Sequence, residues 1–94
     1  MGKRVVKASD IMAKLREQDF RCYYTGDELT PDNVSADHIV ALSAGGSHHI
    51  DNVCLVLSEV NRMKGTLSVE RFVELCRMVV EHAERREGVA ADAD

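Results

Sequence analysis

The sequence predicts a small α+β domain in which two short strands lie between helices. Residues 34–42 and 53–57 are rich in apolar and β-branched side chains, over lengths that suit strands better than helices. Residues 69–83 instead repeat apolar side chains at helical spacing. With 94 residues, of which 45% are hydrophobic and 30% charged, the chain can form one hydrophobic core and no second.

The first third of the chain is predicted to contain one short helix followed by loops. A helix over about residues 10–18 would begin at Ser9 or Asp10, since either side chain can accept hydrogen bonds from the first helical amides. Residues 20–29 combine strand-forming side chains with a turn, and Pro31 marks a second turn before the first strand.

The rest of the chain is predicted to contain two strands and two helices. A loop with two glycines joins the strands, and a short helix follows the second strand directly, capped by Ser58 and ended by Gly65. The last helix has Ser68 as its N-cap and Gly88 near its end. We expect its apolar face to pack against the core.

Charge and hydropathy limit the classes of function. No apolar run approaches the roughly 20 residues of a membrane span, and no signal-peptide pattern follows the N-terminus, so we expect a cytoplasmic protein without a membrane partner. The net charge is −4, yet residues 1–21 carry +3 and residues 22–61 carry six acids and no lysine or arginine. Such an acidic middle repels phosphate unless a divalent cation lies there, which indicates a metal site.

Polar side chains gather where the predicted strands and the short helix meet. Antiparallel strands would bring Asp37 and His38 to the same end of the hairpin as the start of that helix. Asn61 and Lys64, three residues apart, share one helix face. Asp37 and Asn61 offer hard oxygen ligands of the kind that Mg²⁺ prefers. His38 suits proton removal from water, because histidine titrates near neutral pH.

These residues belong to a longer pattern of fixed spacing. It comprises Asp37-His38, Gly45-Gly46, Asn52, Asn61 and Lys64. The pattern resembles the HNH endonuclease motif of the ββα-metal, or His-Me finger, fold. Its spacings are 14 residues from His38 to Asn52 and nine from Asn52 to Asn61, similar to those of the HNH domain in CRISPR effector nucleases. The resemblance covers residues 20–65, about half of the chain.

The resemblance implies a role for each of these residues. Asp37 and Asn61 would ligate the catalytic ion, and His38 would be the general base. Asn52 would restrain the loop that positions the histidine. Phosphate contacts would come from Lys64 and Arg62. The last ligand is often histidine in this family, and an asparagine in its place favours Mg²⁺ or Mn²⁺ over Ni²⁺ or Zn²⁺.

Cysteine usage departs from the family pattern. The three cysteines form no CxxC pair, which is typical of free thiols. Many family members carry four cysteines in a zinc knuckle. The matching positions here are Cys22, Thr25, Leu57 and Val60. Because tetrahedral zinc needs about four nitrogen or sulfur ligands, we expect no structural zinc, and apolar contacts in its place.

Four further side chains carry no assigned chemistry. His48 and His49 are expected to be exposed in the loop between the strands, with substrate or adventitious metal contact as the alternative. Tyr23 and Tyr24 are expected to divide between core and surface, with base stacking as the alternative.

The chain is expected to divide into four parts, of which the resemblance defines the second. They are a basic segment with a short helix (1–19), an HNH core (20–65), a C-terminal helix (66–87) and a disordered acidic tail (88–94). The implied activity is metal-dependent hydrolysis of DNA, by nicking or as a pair of subunits, with RNA as an alternative substrate. We expect a protein partner, such as phage packaging or restriction machinery, in a bacterial or phage-encoded setting. The alternative is a catalytically weak nucleic-acid- or protein-binding module of the same fold.

Overall fold

A two-stranded antiparallel sheet and three helices form the structure, a computed structural model that describes residues 6–87. In chain order the elements are helix α1 (Ala8–Glu17), strand β1 (Val34–His38), strand β2 (Val53–Leu57), helix α2 (Ser58–Lys64) and helix α3 (Val69–Arg86). Two short 3-10 turns, Leu42–Ala44 and Ile50–Asn52, lie between the strands. The predicted α+β class is confirmed. None of the helices in the described range has the length and apolar character needed to cross a membrane.

Strand β2 is the centre of the core. Its residues from Val53 to Val56 are all buried, and both α1 and α2 contact it. Because strand residues alternate between two faces, a run of consecutive buried residues shows that both faces are covered. The register of the hairpin places Asp37 opposite Cys54 and His38 opposite Val53, so the polar end of β1 lies beside this apolar strand.

The second edge of β2 is covered by the segment that follows α1. The side chain of Gln18 accepts a hydrogen bond from the N–H of Leu55 (3.0 Å) and donates one to the carbonyl of Leu55 (2.9 Å). The N–H of Tyr23 also donates to that carbonyl, at 3.0 Å. These groups take the place of a third strand and satisfy an edge that would otherwise be open to pairing.

The start of α1 differs from the prediction. The helix begins at Ala8, its N-cap residue is Lys7, and neither Ser9 nor Asp10 caps it. Asp10 lies in the first turn and accepts a hydrogen bond from the N–H of Lys7 at 2.9 Å. A carboxylate at this position reaches back to the preceding amide, as in one half of a capping box.

The cap predicted for α2 is also wrong. Ser58 is the first helical residue and Leu57 the N-cap. The hydroxyl of Ser58 donates to the carbonyl of Asn33 at 3.1 Å, and its N–H donates to the same carbonyl at 2.7 Å. Ser58 therefore ties the start of α2 to the residue that precedes β1, at the opposite end of the hairpin from Asp37 and His38. The expectation that the start of this helix shares one end of the hairpin with those two residues is wrong, because the helix follows the end of β2 that pairs with Val34 and only its later residues reach Asp37.

Two other helix signals are confirmed. Gly65 ends α2 with φ of +56°, in the region that favours glycine. Ser68 caps α3, since its hydroxyl accepts from the N–H of Arg71 at 3.1 Å. The predicted end of α3 at Gly88 and the tail 88–94 lie outside the described residues.

Most of the apolar face of α3 is exposed. Phe72, 7% exposed, is the buried residue of this helix, and its ring meets the edge of Tyr24 at a centroid distance of 5.6 Å. Val79 is 67% exposed and Val80 53%. The expectation that this face packs against the core is wrong beyond the first turns. A helix of 18 residues is about 27 Å long, whereas a five-residue strand spans only about 17 Å, so the core is too short to cover it.

The unequal burial along α3 predicts unequal stability effects. Phe72→Ala should lower the free energy of unfolding by about 3 kcal/mol, because it removes a buried aromatic ring. Val79→Ala, on the same apolar face, should change it by less than about 0.5 kcal/mol. Urea unfolding followed by circular dichroism measures both. Equal losses for the two variants would show that the outer part of α3 is covered in solution.

Candidate functional site

The end of β1 sends two consecutive side chains in different directions. Asp37 turns towards Tyr24 and Lys64, whereas the ring of His38 meets His48. This follows from strand geometry, in which neighbouring side chains point to opposite faces. The strand itself ends at His38, four residues before its predicted end.

Asp37 forms a buried ion pair with Lys64. The lysine Nζ lies 3.2 Å from Oδ2 of Asp37, and the lysine side chain is fully buried. The hydroxyl of Tyr24 donates to the same oxygen at 2.9 Å, and Nζ also approaches the carbonyl of His38 at 3.5 Å. Buried charges are tolerated when they are paired and hydrogen-bonded, so these partners hold the carboxylate in one orientation.

Tyr24 and Cys54, both beside Asp37, remain protonated at neutral pH. Burial, followed by the charge of Cys54 and the hydrogen bond to Asp37, raises the pKa of Tyr24 far above that of a free phenol. Burial likewise raises the pKa of the Cys54 thiol to about 11. Tyr24 is therefore a fixed hydrogen-bond donor to Asp37.

Asn61 contacts the same strand one helical turn before Lys64. Its Nδ2 donates to Oγ of Ser35 at 2.9 Å and approaches the carbonyl of Ala36 at 3.4 Å. Ser35 and Asp37 are two residues apart in β1, so their side chains lie on the same face of the strand. Helix α2 thus brings Asn61 and Lys64 to neighbouring positions on this face of the strand.

The oxygens of Asp37 and Asn61 fit a hard divalent cation in kind. Within residues 6–87, no hydrogen bond reaches Oδ1 of either side chain, and no buried polar side-chain atom lacks a partner, so both oxygens keep some access to solvent. The competing charge is the ammonium of Lys64 on the other oxygen of Asp37. No three His, Cys, Asp or Glu side chains in this range are placed to hold a metal ion. The cation stays a prediction that rests on these two oxygens.

His38 is held by a second histidine. Its Nε2 lies 2.9 Å from Nδ1 of His48, with the ring centroids 5.1 Å apart. When Nε2–H of His38 is the donor, its Nδ1 keeps the lone pair that a general base needs. Within the described residues no side-chain hydrogen bond joins the ring to Asp37, Asn61 or Lys64.

Asn52 fastens the loop between the strands to the end of β1. Its Oδ1 accepts from the N–H of Val40 at 2.9 Å, and its Nδ2 donates to the carbonyls of Val40 (2.9 Å) and Ser47 (2.7 Å). Its own carbonyl accepts from the N–H of Ile39 at 2.8 Å. Because Ser47 precedes His48, these bonds restrain the segment that carries the partner of the candidate base.

The backbone of this loop requires glycine at both Gly45 and Gly46. A Cβ atom at Gly46 would lie 1.9 Å from the carbonyl oxygen of Val40, which only glycine avoids. Gly45 has φ of +91°, a conformation that other residues rarely adopt. The tight loop that results keeps His48 near the end of β1.

The two residues predicted to contact phosphate differ in exposure. Lys64 is buried against Asp37, so a contact with phosphate requires its ammonium to leave that carboxylate. Arg62 is exposed on the outer side of α2, beside Glu59 and Met63. Both contacts stay predictions.

Three of the four positions matched to a zinc knuckle, Cys22, Thr25 and Leu57, lie near one another. Sγ of Cys22 accepts from the N–H of Leu57 at 3.3 Å, and the N–H of Gly26 closes a turn around Thr25 onto the carbonyl of Cys22 at 2.9 Å. Burial opposes ionisation of Cys22, but hydrogen bonds from Thr25 and the surrounding backbone outweigh it and lower the pKa of the thiol. Val60 is buried within α2. The absence of a structural zinc stays a prediction.

Tyr24 and His48 contact site residues although the sequence assigned them no part in the site. Tyr24 reaches Asp37 across 13 residues and His48 reaches His38 across 10, so no local spacing connects either pair. Tyr24 is half-buried and Tyr23 exposed, as expected for the pair. The ion pair of Asp37 did have a signal in the sequence. Residues 22–61 carry no lysine or arginine, so an aspartate buried in this segment needs a positively charged partner from outside it.

Comparison with models of known protein families gives no match for this chain, and none of the curated proteins compared with it matches either. The resemblance to HNH endonucleases therefore stays a hypothesis based on the motif.

Because of the contacts of Asn52, removal of its side chain should reduce the protection of nearby amides against hydrogen exchange. Asn52→Ala should speed hydrogen exchange of the Val40 amide by at least about tenfold, because that amide loses its acceptor. Asp51→Ala is the matched control, since this neighbouring side chain is exposed and pairs with His49 at the surface. Equal exchange in the two variants, measured by NMR, would mean that Asn52 does not hold the loop.

Proposed function

We propose that this protein is a metal-dependent endonuclease of the HNH type, built on a ββα-metal core, that hydrolyses DNA phosphodiester bonds. One observation carries the proposal: helix α2 sets Asn61 and Lys64 against the strand that ends in Asp37 and His38. The order of a hairpin followed directly by a short helix supports the same core.

Asp37 and Asn61 would hold the divalent cation, Mg²⁺ or Mn²⁺, through one carboxylate and one carboxamide oxygen. A cation bound there supplies charge neutralisation to the scissile phosphate and the leaving oxygen. The acidic segment 22–61, with six acids and no lysine or arginine, favours the approach of a cation.

His38 would take the proton from the attacking water. Because the side chains of Asp37 and His38 leave β1 on different faces, the scissile phosphate would have to lie across the end of the strand to meet both the cation and the imidazole. The contact with His48 holds the ring, and Asn52 holds the loop that brings His48 there. A general base contributes roughly 10²- to 10⁴-fold to such a reaction.

The negative net charge of the chain favours a mode of action in which a partner protein contributes to DNA binding. A net charge of −4 predicts weak DNA affinity, because the chain alone would neutralise few phosphates. The exposed apolar side chains of α3 favour contact with another protein. We propose that the enzyme works beside a larger assembly, such as phage packaging or restriction machinery, that supplies DNA affinity.

A second candidate function is a catalytically weak binding module of the same fold. The buried pair of Asp37 with Lys64 favours it, because the pair neutralises the one carboxylate of the candidate ligand set. The exposed face of α3 suits a protein-binding role as well.

Cleavage of supercoiled plasmid distinguishes the two functions. With Mg²⁺ or Mn²⁺ the protein should convert supercoiled DNA to the nicked form, and EDTA should stop the reaction. His38→Ala should lower the rate by at least about 10²-fold through loss of the base. His82→Ala, which removes an exposed histidine of α3, is the matched control and should cut like the unaltered protein.

Two outcomes would contradict the nuclease proposal. Binding of DNA or of a protein without cleavage in any of these metals supports the binding module. Undiminished cleavage by His38→Ala, with the protein free of contaminating nuclease, removes His38 from the role of base.

A further inference from the structure

We propose that Lys64 is a built-in counter-ion of the candidate cation site. In the cation-free protein its ammonium forms an ion pair with the carboxylate of Asp37. When a divalent cation binds to Asp37, this ion pair breaks and the ammonium moves away. This inference rests on the proposed function, because it concerns the same carboxylate. Its starting observation is that the ammonium, 3.2 Å from Oδ2 of Asp37, belongs to a fully buried side chain.

The ammonium and a divalent cation compete for one negative charge. Asp37 is the only acidic side chain in the predicted ligand set, and its pair with Lys64 has no net charge. A dication on the free oxygen of Asp37, with the ammonium still in place, would put two cations a few ångström apart at a largely buried carboxylate. Such repulsion is strong where water is excluded, so the two bound states exclude each other.

Asp37 keeps a second partner when the ammonium leaves. The hydroxyl of Tyr24 donates to Oδ2 at 2.9 Å and does not depend on the lysine, so it continues to orient the carboxylate. The other oxygen of Asp37 keeps solvent access and is free of hydrogen bonds within the described range. The carboxylate is therefore prepared to exchange one cation for another without losing its position.

The ammonium also has a path out of the pair. Its Nζ already lies 3.5 Å from the carbonyl of His38, at the very end of β1. The flexible four-carbon stem of lysine allows the charge to swing past this carbonyl, towards the place proposed for the scissile phosphate. Exchange at Asp37 would thus convert a buried structural lysine into a phosphate contact only once the cation is bound.

Metal affinity without DNA is the first test. In titration calorimetry with MnCl₂, Lys64→Gln should bind Mn²⁺ at least about tenfold more tightly than the unaltered protein, because no ammonium has to be displaced. Arg77→Gln is the matched control: it removes one exposed positive charge from α3, outside the candidate site, and should change the affinity less than about threefold. Equal or weaker binding by Lys64→Gln overturns the inference.

The unaltered protein provides a second test that does not depend on the folding of a variant. Amine acetylation, mapped by mass spectrometry, should leave Lys64 protected in EDTA and modify it at least about tenfold faster in saturating Mn²⁺. The exposed Lys7 is the internal reference for reagent strength. Protection of Lys64 that does not change while Mn²⁺ binds overturns the inference.

The two proposals fail in different ways. If neither the unaltered protein nor folded Lys64→Gln binds Mn²⁺ or Mg²⁺, both the cation site and the counter-ion role are wrong. If both bind with equal affinity and Lys64 stays protected, the counter-ion role alone is wrong and the metal-dependent nuclease stands.

Discussion

The buried ion pair between Asp37 and Lys64 is the interaction on which the site depends. It fastens α2 to the end of β1, and this attachment places Asn61 against Ser35 on the same strand. Removing one partner of a buried pair typically costs about 3–5 kcal/mol, a large share of the roughly 5–15 kcal/mol that stabilises a whole domain. The same contact therefore holds the hairpin to the helix and sets the charge of the candidate site.

The small size of the sheet explains two features: the residues around the site are held firmly, and most of the apolar face of α3 is exposed. Strand β2 is buried on both faces and its second edge is paired by Gln18, so the part of the chain around the site is well supported. The core ends near Phe72, beyond which α3 presents valine and methionine side chains to solvent. The uncovered apolar face of α3 is consistent with the proposal that the protein acts beside another one.

Local signals in the sequence located the helices and strands, although not all of their ends, and they did not identify the partners of each element. The five apolar residues of β2, the glycine that ends α2 and the serine that caps α3 each act through neighbours in the chain, and each was predicted. The helical spacing of apolar residues showed that α3 has an apolar face. It could not show how much of this face the core covers. The motif placed Asp37 and Lys64 in one site, yet it could not show that they neutralise each other, because that depends on how deeply α2 packs on β1.

A double-mutant cycle on the ion pair tests this account most directly. Asp37→Asn and Lys64→Met should each lower the free energy of unfolding by at least about 3 kcal/mol, since each leaves the other charge buried and unpaired. The double variant should be more stable than either single variant, because it carries no buried charge. Losses that simply add in the double variant would show that the two residues do not interact, and the structural basis of the site would then be wrong.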